Sequence, residues 1–182
     1  TSFDGNDYIT LSNPLSSTNH TISVWTKITD DSTGKTIIDA RDGGNDGILL
    51  WYNSSENVQY FVNNSNILSS NTYNGEWIHI AATYDGSTQK LYINGSLDQS
   101  TSTSQSVSTT TNAIIGARSF TSRANYYNGS LANVGIWNRA LSLSEIESIY
   151  WKGQYADLEG TELTNLVSWY NLSADANDST GT

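Results

Sequence analysis

The sequence predicts an all-β protein, a two-sheet antiparallel sandwich with one short helix near residues 142–151. Three observations carry that expectation. Apolar residues recur with period two along many short runs, the period of a strand with one face buried. Turn pairs such as Asp85-Gly86 and Asn94-Gly95 separate these runs, and such pairs tolerate the positive φ of tight hairpins. Six Trp and eleven Tyr in 182 residues favour strands over helices.

The runs follow in order. Tyr8 to Leu11 is the first. Thr21 to Ile28 alternates, with Ile22, Val24, Thr26 and Ile28 on one face and Ser23, Trp25 and Lys27 on the other. Thr36 to Asp39, Ile48 to Tyr52 and Val58 to Val62 come next. Glu76 to Tyr84 sets Trp77, His79, Ala81 and Thr83 against Ile78, Ile80, Ala82 and Tyr84. Lys90 to Ile93, Ala113 to Ala117 and Ser130 to Trp137 complete the series. Ser142-Leu-Ser-Glu145 then reads as a capping box, followed by Leu143, Ile146, Ile149 and Tyr150 at helical spacing. One helix among about ten strands indicates a sandwich and not an alternating α/β architecture.

Composition narrows the partners. Eight basic residues stand against eighteen acidic ones, a net charge of −10, and no Lys/Arg cluster occurs. That argues against nucleic acid or an anionic membrane surface as a partner. The absence of cysteine removes disulfides, thiolate zinc sites and thiol catalysis. No apolar run approaches the roughly 18 residues of a membrane helix, so no membrane insertion is expected. With no initiator Met and no signal segment, the chain reads as a processed or excised part of something larger.

Several segments together resemble the laminin-G-like jelly roll of the concanavalin A-like lectin/glucanase superfamily. They are Phe3-Asp-Gly-Asn-Asp-Tyr8, Thr21-Ile-Ser-Val-Trp25, Glu76 to Gly86, Lys90-Leu-Tyr-Ile-Asn-Gly95, Ile115-Gly116, Tyr127-Asn-Gly129 and Val134 to Ser142 with its helix. Each alone is weak; their order across residues 3 to 150 is specific. Residues 1–182 then form one sandwich. Leu166-Val-Ser-Trp-Tyr170 with Asp175 and Asn177-Asp-Ser looks like the family's opening strand, displaced to the C-terminal end. Residues 163–182 are therefore expected either to close this sandwich or to open a following repeat. Burying Leu166, Trp169 and Leu172 would contribute about 1.5–3 kcal/mol each, so the segment should be docked somewhere.

The resemblance also sets the site expectations. Family members often hold calcium near the Phe-Asp-Gly motif, which makes Asp4, Asp7, Asn133 and Asp178 the candidate ligands. Ala132 stands where the family commonly has another acidic residue. Glucanases of the superfamily carry a Glu-x-Asp-x-x-Glu strand that aims carboxylates into one cleft; this sequence lacks one. His79 reads as a structural histidine. Gly34-Lys-Thr36 reads as a hairpin turn, since a phosphate loop would need an earlier glycine and a following helix. Asp42 to Asp46 reads as a solvated turn. Sugar rings stack on aromatic faces, and Trp51, Tyr60, Tyr126 and Tyr127 are the candidate platforms.

The expected function is that of a non-catalytic binding module of a secreted, cell-surface or virion protein. Its partner would be a glycan or glycosylated surface. The alternative is a structural module, such as a phage decoration, spike or tail-fibre domain or a surface-protein repeat, whose contacts are with neighbouring subunits or repeats.

Overall fold

The computed structural model describes residues 1–12, 15, 17–29, 33–41, 46–107, 112–118 and 123–173. Thirteen strands form two antiparallel sheets. In chain order they are β1 Ser2–Asp4, β2 Ile9–Ser12, β3 His20–Ile28, β4 Lys35–Arg41, β5 Gly47–Tyr52, β6 Asn57–Val62, β7 Ser65–Thr72, β8 Ile78–Tyr84, β9 Thr88–Ile93, β10 Ser96–Ser102, β11 Asn112–Ile115, β12 Asn128–Trp137 and β13 Leu166–Tyr170. The helix α1, Leu143–Lys152, and a 3-10 turn at Gly160–Leu163 lie between β12 and β13. One sheet runs β1-β12-β3-β8-β9-β10, with β13 also on β12; the other runs β2-β11-β4-β5-β6-β7.

The alternation read from the sequence is the alternation observed. Ile22, Val24 and Ile28 of β3 and Ile78, Ile80, Ala82 and Tyr84 of β8 enter the core between the sheets. From the other sheet come Ile48, Leu50 and Tyr52 of β5 and Val58, Tyr60 and Val62 of β6. The opposite face of β8 is buried as well. Ala81 joins Tyr92, Trp137, Ile146, Ile149 and Trp169 in a second apolar cluster under α1. Ser142 caps the helix by accepting from the Glu145 amide, and the Glu145 side chain answers on the Ser142 amide. Leu143, expected on the apolar face, is instead exposed.

Gly34 does not sit in a hairpin: β3 and β4 belong to different sheets, so the segment crosses between them. A side chain at Gly34 would overlap the Trp51 indole, with a Cβ only 2.3 Å from Cζ3. The acidic loop at 42–46 lies, except for Asp46, outside the described residues.

Strand β13 pairs with β12 of its own sheet, Val134 opposite Tyr170 and Gly135 opposite Trp169. It shares one edge of β12 with β1, which occupies Asn128 to Ser130. Between them Asn133, with φ of 51°, and Val134 form a β-bulge against β3. The α-amino group of Thr1 donates to Leu172 O at 2.6 Å, so the two strands meet nearly end to end.

Candidate functional site

The outward face of the six-stranded sheet is where the sequence-expected and observed features converge. Register places Trp51 of β5 opposite Gln59 of β6, and Gln59 opposite Leu68 of β7. The next row holds Leu49, Phe61 and Asn66. The hairpin itself sets this register. Asn53 Oδ1 accepts from the amides of Ser55 and Asn57, and Glu56 takes a φ of 65° in the tight turn.

A chain of side-chain amides crosses the face. Trp51 Nε1 donates to Gln59 Oε1 at 3.0 Å, and Gln59 Nε2 donates to Asn66 Oδ1 at 3.0 Å. Each bond fixes the orientation of the next amide and leaves the Asn66 amino group facing solvent as a donor. Trp51 is partly exposed. Gly34 packs against its indole, and the Arg118 guanidinium sits 5.9 Å from its ring centroid. Arg118 also donates to Asn125 Oδ1, whose Nδ2 bonds Gly34 O at 2.8 Å. The half-exposed side chain of Tyr126 follows directly on Asn125. The indole is therefore held in place before any ligand arrives.

The strands of this sheet contain one carboxylate, Asp39. It is fully buried and forms a two-pronged ion pair with Arg41, Oδ1 to Nε and Oδ2 to Nη2 both at 2.8 Å.

Two of the four aromatic candidates are not platforms. Tyr127 is completely buried: its hydroxyl lies 2.5 Å from Thr26 Oγ1 and its ring meets Phe3 edge-on. Tyr60 points into the core, where its hydroxyl lies 2.6 Å from His20 Nε2. His20 Nδ1 donates to Thr18 O, so in the neutral ring Nε2 accepts and Tyr60 donates. Burial pulls the His20 pKa down to about 4, and raises that of Tyr60 well above the ordinary tyrosine value. Neither ring offers a face to a ligand.

The calcium set does not assemble from its described members. Asp4 and Asp7 are exposed and turn in on the local backbone: the Asp4 amide donates to Asp7 Oδ2, and the Asn6 amide to Asp4 Oδ1. Asp4 faces Asn128, five residues before Asn133 on β12, which at about 3.3 Å per residue sets them well apart. Asn133 is committed to the fold. Its Oδ1 accepts from Trp169 Nε1, its Nδ2 donates to Ala156 O at 2.9 Å, and its amide donates to Asn171 O. Asp178 lies outside the described residues. Among the described residues, no three His, Asp or Glu side chains come together in a metal-binding group. No helix among them is long and apolar enough to cross a membrane.

Sequence reasoning missed Gln59, Asn66 and Arg118. Gln59 was within reach, because the residues flanking Asn53 to Glu56 pair symmetrically about a turn centred on Ser55. Arg118 was not, since only the folded loop brings it to Trp51.

The profile of the concanavalin A-like lectin/glucanases superfamily matches residues 3–147. Among solved structures, the chain is similar to a candidate carbohydrate binding protein from Bacteroides ovatus, with 16% identity and a TM-score of 0.78. That alignment covers 99% of this chain and 55% of the other, so this chain spans little more than half its length. A heptameric SAP-like pentraxin from Limulus polyphemus aligns with 17% identity and a TM-score of 0.68, covering 82% of this chain and 80% of the pentraxin. The receptor binding domain of botulinum neurotoxin D gives 20% identity and a TM-score of 0.64, covering 82% and 42%. No curated protein sequence matches the chain significantly.

Proposed function

The chain belongs to the concanavalin A-like lectin/glucanases superfamily, and from that premise we propose that it is a non-catalytic, glycan-binding module working at a cell surface or outside the cell. The observation that carries this is the hydrogen-bonded chain Trp51–Gln59–Asn66. A partly exposed indole stands beside amides whose orientation the strands have already fixed. Sugars are held by such pairings of aromatic surface and directed polar groups. Pre-set amides also reduce the ordering cost of binding.

The catalytic branch of the superfamily chemistry fits this face poorly. Glycoside hydrolysis needs two carboxylates flanking the scissile bond. The strands here supply only Asp39, which lies opposite Leu49 on this face but is fully buried and fixed against Arg41. Calcium forms no part of the proposal, because Asn133 spends both ends of its amide on Trp169 and Ala156. The likeness to a candidate carbohydrate binding protein of Bacteroides ovatus is in keeping with this reading.

A glycan array probed with the wild-type chain and with Trp51→Ala tests it. Trp51→Ala should fold and lose at least tenfold in affinity for whatever glycan the wild type binds, equal to about 1.4 kcal/mol. A wild-type chain that binds no glycan on the array would refute the proposal.

A further inference from the structure

The other sheet carries a separate surface feature. The turn between β9 and β10 passes beneath α1 and leaves a shallow open cleft of about 90 Å³, lined by Asn94, Gly95, Ser96, Glu147, Tyr150 and Trp151. Gly95 makes this close approach possible: with φ of 78°, its Cα side faces the Tyr150 ring, where a Cβ would stand 2.9 Å from Cδ1. Tyr150 is anchored from the inside. It stacks on Trp25 at 5.6 Å with ring planes 17° apart, and sits 6.0 Å from the buried His79 ring.

Trp151 is 80% exposed, the most exposed of the large hydrophobic side chains described. Its ring meets Tyr150 at 5.0 Å and 59°, so the two form an open corner. Glu147 stands one helical turn earlier on the same face. It is exposed, and among the described residues no bond of its carboxylate is seen. Asn94 accepts from the His79 amide through Oδ1 at 2.9 Å, which fixes its side chain and leaves the amino group as a donor. Ser96 is exposed beside it.

We infer that this cleft is a second carbohydrate subsite, selective for a neutral pyranose. The inference rests on the glycan-binding reading above, but on residues of the opposite sheet. The chemistry argues for a sugar ring: an aromatic corner for its apolar face, a carboxylate to accept from adjacent hydroxyls and an amide to donate. Charge argues for a neutral one. Glu147 would face any uronic or sialic carboxylate at close range, within a chain of net charge −10.

The six tryptophan indole N–H signals of 15N-labelled chain report the outcome. Methyl β-D-glucopyranoside and methyl β-D-galactopyranoside are titrated to millimolar excess, with D-glucuronate as the anionic probe. The Trp151 signal should shift saturably with at least one neutral glycoside and not with glucuronate. In Trp151→Ala, saturation transfer from the protein to that glycoside should fall at least severalfold while any Trp51 response stays intact. Glu147→Gln should admit glucuronate. A Trp151 signal unmoved by both glycosides while Trp51 moves would overturn the second subsite and spare the first. Silence from every indole would count against the glycan reading itself. A Trp151 shift that follows protein concentration and not sugar would mean that a second copy of the chain docks there, and would also overturn the inference.

Discussion

Trp169 on β13 donates its indole N–H to Asn133 Oδ1 in the bulge of β12, so one side chain ties the last strand to the middle of its sheet. The relationship explains why Asn suits this position. It has a donor for Ala156 O and an acceptor for Trp169, and it accepts a φ of 51° at modest cost.

Asn133→Asp is therefore a sharp probe. The carboxylate keeps the bond from Trp169 but turns an oxygen toward Ala156 O, leaving buried polar groups opposed. The expected cost is about 1–3 kcal/mol. Thermal melts with calcium and with chelator check it. A lower melting temperature unaffected by calcium supports the structural role, whereas a calcium-dependent rise above wild type would make position 133 a cation ligand.

Trp169→Ala and deletion of residues 160–182 ask how far the sandwich depends on its last strand. Trp169 is buried in the cluster under α1, and the deletion also removes Glu162, which binds Lys152 and Ser148. Trp169→Ala should cost about 3–5 kcal/mol, roughly a 10 °C lower melting temperature. The deletion should cost more. A truncated chain that melts like the full one would show that β13 adds nothing.

Acid should weaken the fold through its two histidines. Burial holds the His20 pKa at about 4 and the His79 pKa at about 3 in the folded state. The unfolded chain binds the same protons near the ordinary value of about 6.5. Between those values the unfolded state carries more protons, so stability is full above about 6.5 and drains as pH falls toward the folded values. The limiting slope is about 1.4 kcal/mol per pH unit per group. Urea unfolding at successive pH values should show this loss, and His79→Gln should reduce its slope. Stability that stays flat from neutral pH to the folded values would contradict the burial argument.

Gly95→Ala tests the seating of α1. The methyl group would require positive φ and press on Tyr150, at a cost of about 1–3 kcal/mol. A melting temperature equal to wild type would show that the helix can retreat freely.

Strands β3 and β8 were legible because the face each turns toward the other sheet is written mostly in apolar residues. Strands β7 and β10 were not: Ser65 to Thr72 and Ser96 to Ser102 are mostly polar edge strands, whose pairing satisfies the backbone without a strong apolar signal. Tyr60 could have been placed correctly, since Val58 and Val62 share its face. Tyr127 could not, because Asn128-Gly129 reads as a turn, whereas it opens β12 and draws Tyr127 inward. Leu143 has helical spacing but is nearly half exposed, and spacing alone does not show what covers a face. Trp151 falls outside the apolar stripe of α1, so periodicity passed over the most exposed indole described.

The most direct measurement is calorimetric titration of the wild-type chain with its strongest array ligand, followed by mass spectrometry of the recovered glycan. The expected result is saturable heat with the glycan returned at its original mass. A ligand recovered as hydrolysed fragments, or the absence of any binding heat, would contradict a non-catalytic glycan-binding module.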